Sequence, residues 1–185
     1  MRVVGSRAKG QKLKGAIVPG ARPTTERVRA AIFNILQGGL ADHEKVLDLF
    51  AGTGSLGIEA LSRGAGWADF VERDRRQCQV IQSNLETTGF SASARVYCTD
   101  VDRSLATLPG PYRLVLLDPP YRMLDLDQVL ERIGTTPRLV AVGGKVVAGH
   151  SKHLTLLPRY GFLSLVSHRR YGDNVVDFYV RENGP

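Results

Sequence analysis

The stretch KVLDLFAGTGSLGIEALSRG, residues 45–64, decides the fold. Its first six residues form a short apolar run typical of a buried strand, and its last part has the apolar spacing of a helix. The turn between them carries glycines at positions 52, 54 and 57, which let the backbone turn tightly and approach a ligand closely. The turn does not match GxxxxGK[ST], so a nucleoside triphosphate is disfavoured as the ligand. A strand, a glycine-rich turn and a helix in this order predict the first unit of a parallel α/β sheet.

The alternation of strand and helix continues along the chain. WADFVE, ARVYCTD and YRLVLLD are predicted strands separated by helical stretches, and LVAVGGKVVAG is a fifth strand interrupted by glycines. YGFLSLVSHRRY and NVVDFYVRE are strand-like runs joined by the turn GDN, so they form a hairpin that adds an antiparallel strand. The predicted fold is therefore α/β and Rossmann-like, with a mostly parallel, doubly wound sheet.

The N-terminal residues predict a small basic element. RVV and KLKGAIV are apolar stretches separated by GSRAKGQ, which is typical of a β-hairpin, and we assign residues 1–23 to it. The α/β domain then spans residues 24–185. It begins with the helical ARPTTERVRAAIFNIL, for which Thr24 or Thr25 can serve as the N-cap.

The charge excess of the protein lies entirely in this N-terminal region. Eight of the 25 Lys and Arg residues but one of the 18 acids fall within residues 1–29, a net charge of +7. The remaining 17 bases and 17 acids balance. A localised excess of this kind indicates an arm that meets a polyanion, with nucleic acid as the first candidate. A solvated, partly disordered tail is the alternative.

Cysteine usage and hydropathy indicate the cellular environment of the protein. Cys78 and Cys98 lie 20 residues apart with no CxxC motif and no histidine cluster nearby, so we expect no metal site and a reduced, cytoplasmic environment. No apolar run approaches the roughly 18 residues of a membrane span, and the basic N-terminus lacks the apolar core of a secretory signal. A membrane partner is therefore not expected.

Acids mark the ends of successive predicted strands. In open α/β sheets, ligands bind beyond the carboxyl ends of the strands. Glu72 ends the second strand, 18 residues past Gly54, a spacing at which an acid can hydrogen-bond both hydroxyls of a ribose. Asp100 ends the third strand and can accept from an adenine amino group. Each acid alone could be a helix N-cap, but together with Asp48 they favour an adenosine-type ligand.

The fourth strand ends in Asp118-Pro119-Pro120-Tyr121. Two prolines end a strand abruptly and keep their surroundings rigid. The Asp118 carboxylate and the Pro119 carbonyl can accept the two N–H groups of an exocyclic amine, whose lone pair is then aimed at a methyl donor. Tyr121 can stack on an extruded base. The motif therefore predicts an amino-group clamp, while a proline turn with a capping aspartate is the structural alternative.

These motifs resemble the RsmD family of bacterial S-adenosylmethionine-dependent methyltransferases, which act on a guanine N2 of small-subunit ribosomal RNA. The resemblance rests on RPTTERVRAAIFNIL, VLDLFAGTGSLGIEALSRGA and LVLLDPPY and covers nearly the whole chain. It implies a class I methyltransferase fold with a seven-stranded sheet and an N-terminal β-hairpin that helps to grip rRNA. It also implies a role in the cytoplasm, as a monomer acting on rRNA within an assembled or assembling 30S particle.

The resemblance also assigns roles to individual residues. The methionine end of S-adenosyl-L-methionine would be lined by Asp48, Gly52 and Gly54. Glu72 would hold the ribose, and Asp100 with Val101 the adenine. The catalytic amine site would consist of Asp118, Pro119 and Tyr121. The substrate-side motif would consist of Arg22, Thr24 and Arg27. One departure is the pair Gly149-His150, which stands where related sequences tend to carry an acid.

Other functions share parts of this pattern. A DNA methyltransferase acting on adenine N6 or cytosine N4 would use the same clamp, although the chain has no segment of the size that a sequence-reading domain usually needs. A protein-glutamine methyltransferase usually has Asn in place of Asp118. A non-catalytic RNA-binding assembly factor would not need the complete set of strand-end residues. His150 and His168 are candidate participants in proton removal, but single histidines are more often packing or surface residues.

Overall fold

The computed structural model describes residues 1–15, 25–36, 40–120, 123 and 125–184. One mixed sheet of eight strands runs through the protein in the order β3-β2-β1-β4-β5-β8-β7-β6. The strands are β1 Lys45–Leu49, β2 Trp67–Glu72, β3 Ala94–Cys98, β4 Tyr112–Leu117, β5 Val140–Ser151, β6 Arg159–Tyr160, β7 Leu163–Tyr171 and β8 Asn174–Arg181. Strands β1 to β5 are parallel, and β8 lies antiparallel between β5 and β7. The predicted α/β class and the antiparallel C-terminal hairpin are confirmed.

The sheet differs from the expected seven strands by one short addition. Strand β6, of only two residues, pairs with the start of β7 at the edge of the sheet. The sequence pattern predicts one strand here, but Gly161, with a φ of 51°, turns the chain directly after Tyr160 and separates the two residues from β7. The seven longer strands correspond to those that the sequence predicts.

Within the described ranges, five helices connect and cover the strands. They are α1 Glu26–Ile35, α2 Ser55–Ser62, α3 Arg75–Thr88, α4 Val101–Thr107 and α5 Leu126–Gly134. Helix α1 begins after Thr25, whose hydroxyl accepts a hydrogen bond from the Val28 amide at 3.3 Å. Because a side-chain oxygen satisfies one of the otherwise unpaired first amides, this N-cap fixes the start of the helix. No helix in the described part of the chain is long and apolar enough to cross a membrane.

The central strands are buried on both faces. Val46 of β1 and Leu116 of β4 belong to one hydrophobic cluster, while their neighbours Leu47 and Leu117 belong to a second cluster on the other face. Successive strand side chains point to opposite faces, so an uninterrupted apolar run is what a sheet covered on both sides requires. The central strand ends are thereby held rigidly, and β1 and β4 lie side by side.

The N-terminal segment packs against the α/β core. Val3, Ala8 and Leu13 are buried in the same cluster as helices α1 and α2. Arg2 and Lys12 form one isolated antiparallel bridge around a short 3₁₀ turn at Ser6–Ala8. In residues 1–15 the predicted hairpin is therefore reduced to a single bridge, because the 3₁₀ turn occupies the middle of the segment. Residues 16–24 lie outside the described ranges, so the division at residue 23 stays a prediction.

Candidate active site

The carboxyl ends of β1, β2, β3 and β4 meet at one edge of the sheet. These four strands are parallel and adjacent, with Leu49 opposite both Val71 and Leu117, and Glu72 opposite Cys98. The residues that follow the strands are therefore brought together, although they are far apart in the sequence. The candidate site consists of the turn after β1, Glu72, the start of α4 and the Asp118-Pro119 segment.

The turn after β1 is built from unusual backbone conformations. Gly52 and Gly54 have φ angles of 55° and 74°, in the left-handed region that favours glycine. A Cβ on Gly54 would also lie 3.0 Å from a methyl group of Ile81, so a side chain would not fit there. Phe50 has a φ of 57°, which costs a non-glycine residue about 1–3 kcal/mol. No residue pattern predicts the strain at Phe50, and such strain is typical of ligand-binding turns.

Asp48 ties this turn to helix α2. Its side chain is 1% exposed, and its Oδ2 accepts a hydrogen bond from the Gly57 amide at 2.8 Å. Burial raises the pKa of Asp48 well above its usual value, and the nearby carboxylates of Asp118 and Glu72 raise it further. The Gly57 hydrogen bond acts in the opposite direction. Asp48 is thus a buried carboxylate whose charge would be stabilised by a cationic ligand group.

Glu72 is oriented by two backbone amides. Its Oε2 accepts from Gly52 N at 2.9 Å, and its Oε1 accepts from Asp74 N at 2.9 Å. Because each carboxylate oxygen has two lone pairs, both oxygens keep the capacity to accept a further hydrogen bond from a ligand hydroxyl. The first of these bonds joins the end of β2 to the turn after β1. The two predicted cofactor elements therefore contact each other directly.

Asp100 and Val101 begin helix α4. The Asp100 Oδ1 accepts from Asp102 N at 2.9 Å, so this residue is the N-cap of the helix. Its side chain is exposed, whereas Val101 is buried in the second hydrophobic cluster. Asp100 is therefore a helix N-cap, which is one of the roles that the sequence allows for it. The capping hydrogen bond holds its carboxylate at the carboxyl edge of the sheet.

Asp118 and Pro119 follow β4 directly and lie beside the end of β5. Asp118 is half-buried and Pro119 is buried. A Cβ built on Gly149 of β5 would lie 2.9 Å from Asp118 Oδ1, so the strand passes very close to this carboxylate. This contact favours a glycine at position 149, because a side chain there would push the Asp118 carboxylate away. Tyr121, the third residue of the predicted clamp, lies outside the described residues.

Two cavities open beside this pair. Val28 and Ile32 of α1 line the first, together with Asp118, Gly149 and His150. The second has a volume of about 100 Å³. Its lining comprises Pro119, Pro120, Met123, Leu126, His150, Ser151, His153 and Leu154. The apolar and polar groups of this second cavity could hold one face and one edge of a planar base.

Helix α1 brings the substrate-side motif towards the same place. Val28, which lines the cavity with Asp118, directly follows Arg27, whose side chain is exposed. Arg22 and Thr24, the other two predicted substrate residues, lie outside the described residues. Arg29 on the same helix is fully buried against Glu59 and has a structural role.

The structure adds a buried network that the sequence did not reveal. Asp177 of β8 is 2% exposed and accepts contacts from two histidines: His150 Nε2 at 3.1 Å and His168 Nδ1 at 2.6 Å. His150 Nδ1 also lies 2.9 Å from the Ser151 carbonyl. Both ring nitrogens of His150 therefore lie within hydrogen-bond distance of protein oxygen atoms. These three residues come from three strands, so no local pattern could have grouped them.

Comparison with known proteins places the chain in a family. The family model described as Conserved hypothetical protein 95 matches residues 1–180. YlbH of Bacillus subtilis (strain 168) is 38% identical over 184 residues, which cover 98% of this chain and 99% of YlbH. Ribosomal RNA small subunit methyltransferase D of Escherichia coli (strain K12) is 40% identical over 130 residues, 70% of this chain and 65% of that protein.

A solved structure gives the same result at the level of the fold. The Escherichia coli protein yhhF superposes on this chain with a TM-score of 0.86, and the match covers 98% of both chains at 32% identity. The family model, YlbH and the solved structure extend over nearly all of the chain, including every strand end described above. The chain belongs to the RsmD family of class I methyltransferases.

Proposed function

We propose that the protein transfers a methyl group from S-adenosyl-L-methionine to the exocyclic N2 amino group of a guanine in small-subunit rRNA. Family membership supports S-adenosylmethionine-dependent methylation of rRNA. The observation that supports an amine as the acceptor is Asp118-Pro119 at the end of β4: Asp118 lies beside Gly149 and lines the first cavity, and Pro119 lines the second, of about 100 Å³.

The strand-end residues fit the cofactor. The left-handed turn at Gly52 and Gly54 leaves the backbone accessible to the methionine part, and Asp48 supplies a buried negative charge for its amino group. Glu72 would accept hydrogen bonds from the ribose hydroxyls through the carboxylate lone pairs that its two backbone hydrogen bonds leave available. Asp100 and Val101 would hold the adenine at the start of α4. When bound, the cofactor supplies an electrophilic methyl group.

Asp118 and Pro119 would prepare the acceptor nitrogen. The lone pair of an exocyclic amine is delocalised into the base, so the nitrogen is a poor nucleophile until its two N–H groups are held. The Asp118 carboxylate and the Pro119 carbonyl would accept these hydrogens and leave the lone pair aimed at the methyl group. As the N–C bond forms, the nitrogen becomes acidic, and Asp118 or water takes its proton. Tyr121 is proposed to stack on the extruded base.

The basic N-terminal region would hold the rRNA. Its net charge of +7 within residues 1–29 suits a phosphate backbone. The arm is anchored to the domain, because Val4 N donates to Glu59 and Lys14 N donates to Asn84. Arg22, Thr24 and Arg27 would contact the substrate next to the amine site. We place the reaction in the cytoplasm, with the protein acting as a monomer on rRNA in an assembled or assembling 30S particle.

A three-acceptor methylation assay tests this function. Radiolabelled S-adenosylmethionine would be supplied with 30S particles that lack their native methylation, with naked rRNA or with duplex DNA, and labelled products digested to nucleosides. We expect label in N2-methylguanosine from particles. The Asp118→Ala variant should lower kcat by about 10²–10³, because an acceptor of the transition-state hydrogen bond is lost. Its affinity for S-adenosylhomocysteine, measured by calorimetry, should be unchanged.

The control and the alternatives are read from the same assay. The Asp42→Ala variant makes the same chemical change at an exposed position on the opposite edge of the sheet and should keep parental activity. Label in DNA alone would retain the clamp and overturn rRNA as the substrate. Cofactor binding without label in any acceptor, combined with RNA binding unaffected by Asp118→Ala, would favour a non-catalytic assembly factor.

A further inference from the structure

We propose that the turn joining β7 and β8, together with the end of β5, is a second RNA-contacting surface that binds backbone phosphates beside the amine site. This inference rests on the proposed rRNA substrate. The surface consists of Lys152, His153 and residues 168–173, and we call it the hairpin surface. The charged residues of this surface belong neither to the candidate cofactor site nor to the N-terminal arm.

Sheet topology places the hairpin surface next to Asp118. Strand β5 is parallel to β4, and its last residue, Ser151, lies opposite Asn174, the first residue of β8. Asn174 is also opposite Tyr171, the last residue of β7. The turn between them is therefore on the carboxyl edge of the sheet. Asn174 and Val175 line the same cavity as Asp118.

The hairpin surface carries an excess of exposed cations. Lys152, Arg169 and Arg170 are exposed, as are the rings of His153 and His168. Asp173 is its one exposed carboxylate, and it pairs with Lys152 Nζ at 2.7 Å. The other carboxylate nearby, Asp177, is buried and faces two histidines. The two arginines therefore set the charge that an approaching polyanion meets.

The side chains of Arg169 and Arg170 lie on opposite faces of the sheet, at its carboxyl edge. In β7, Arg169 shares a face with Tyr171, which packs against the cluster containing α1, whereas Arg170 shares a face with His168. The Arg170 Nε donates to the Gly172 carbonyl at 2.9 Å, so this side chain is held along the turn. Two guanidinium groups in this arrangement can bind two successive phosphates, each in a bidentate manner.

The hairpin surface and the arm lie on opposite sides of the amine site. The arm is bonded to α2 and α3, which pack against β1, β2 and β3. The turn belongs to β7 and β8, on the other side of β4 in the sheet order. An RNA strand held at both places would cross the carboxyl edge of the sheet with its target nucleotide at Asp118. Two contacts that flank an extruded nucleotide stabilise the unstacked state.

A different role for the basic residues is protection of the sheet edge. From Leu165 onwards, β7 pairs only with β8 among the described strands, and charged residues on such edges prevent aggregation. This role predicts an effect on aggregation and none on RNA affinity. Phosphate binding predicts the reverse, so the two roles can be separated by experiment.

The test is the double variant Arg169→Gln/Arg170→Gln, assayed for binding to 30S particles over a series of salt concentrations. We expect affinity at low salt to fall about tenfold and the slope of log K against log salt to decrease in magnitude by about 1.4–1.8, as for two lost phosphate contacts. In the methylation assay, KM should rise with little change in kcat. The variant Arg169→Lys/Arg170→Lys keeps both charges and should restore the salt slope.

The control removes the same charge from the opposite edge of the sheet. Arg113→Gln/Arg159→Gln changes two exposed arginines that pair with Glu44 and Glu182, and it should leave affinity and salt slope at parental values. If the hairpin variant matches this control in slope, and light scattering shows increased aggregation, the surface is edge protection and our inference is wrong. If the hairpin surface fails this test but the parent protein methylates rRNA, the proposed function is retained without the second RNA surface. If the parent protein does not bind rRNA, the proposed function and the second RNA surface are both wrong.

Discussion

Two buried carboxylates, one in helix α2 and one in strand β1, have opposite environments. Glu59, in the helix itself, is fully buried and surrounded by donors: Arg63 Nε at 2.8 Å, Val4 N at 2.8 Å and Arg29 Nε at 3.5 Å. Asp48, in β1, is equally buried but receives a hydrogen bond from the Gly57 amide. Among the described residues, the charges that act on Asp48 belong to two acids, Asp118 and Glu72.

The difference separates a structural carboxylate from a ligand-binding one. Burying a charge is costly unless the protein supplies a partner. Glu59 has its partners within the chain, where they fix the N-terminal arm to the domain. We propose that Asp48 receives the cationic amino group of the cofactor, so that its partner would arrive with the ligand. Sequence composition cannot distinguish the two acids, which lie 11 positions apart. Their hydrogen-bond and ion-pair partners within the folded chain do distinguish them.

Removing the charge of Glu59 should have the largest effect. Arg29 is fully buried, and its Nε and Nη1 make no hydrogen bond among the described residues, so it depends on Glu59 for compensation. Burial already lowers the pKa of Arg29. The Glu59→Gln variant should lose about 3–5 kcal/mol of unfolding free energy, because one partner of a buried ion pair is removed. Urea denaturation measures this loss.

The matched control for that variant is Glu86→Gln. It makes the same chemical change at an exposed position of helix α3, where a substitution should alter stability by no more than about 0.5 kcal/mol. A loss below about 1 kcal/mol for Glu59→Gln would mean that water or a rearranged arm compensates Arg29. The contrast between Glu59 and Asp48 would then fail.

Asn84 joins the N-terminal arm to the turn that precedes α2, and its removal should have the next largest effect on stability. Its Oδ1 accepts from Lys14 N at 2.7 Å, and its Nδ2 donates to the carbonyls of Thr53 at 2.9 Å and Lys14 at 3.2 Å. Asn84→Ala should cost about 2–3 kcal/mol, because the buried Thr53 carbonyl and the partly buried Lys14 backbone groups lose their partner. Since Thr53 belongs to the cofactor turn, affinity for S-adenosylhomocysteine should fall as well.

Two measurements make this prediction specific. Hydrogen exchange should accelerate at the Lys14 amide in Asn84→Ala, and calorimetry should report the weaker cofactor binding. The variant Gln82→Ala, at an exposed position of the same helix, should change neither. If the Lys14 amide stays protected while stability falls, the arm is held by its apolar contacts and Asn84 supports the turn alone.

The placement of the strand-end residues at one edge of the sheet could be predicted from the sequence because their signals are local. The turn at Gly52 and Gly54 and the acid at Glu72 each follow a strand within a few residues, and parallel pairing alone then brings the strand ends together. The same holds for Asp118 after β4. Each of these positions follows from a short motif and one rule of sheet geometry.

The remainder depends on contacts between distant segments. The bond from Val4 to Glu59 spans 55 positions and that from Lys14 to Asn84 spans 70, so no local pattern contains them. His150, Asp177 and His168 lie on three strands whose registers the sequence does not specify. Gly149 follows the same rule. A Cβ added there would lie 2.9 Å from Asp118 Oδ1, and only the folded chain shows that distance.

Neutralising Asp48 should have the smallest effect on stability and the opposite sign. Burial raises the pKa of this carboxyl, so without cofactor the parent loses stability as pH rises from about 4, the unfolded value, through the folded pKa. Asp48→Asn does not titrate and can still accept from Gly57 N, so it should be more stable by on the order of 1 kcal/mol at neutral pH. The advantage should shrink as pH falls towards about 5, while affinity for S-adenosylhomocysteine decreases. Urea denaturation from about pH 5 to pH 8, with and without S-adenosylhomocysteine, measures both effects. A variant less stable than the parent at every pH would show that the Asp48 carboxylate holds α2 through Gly57 and, like Glu59, stabilises the fold.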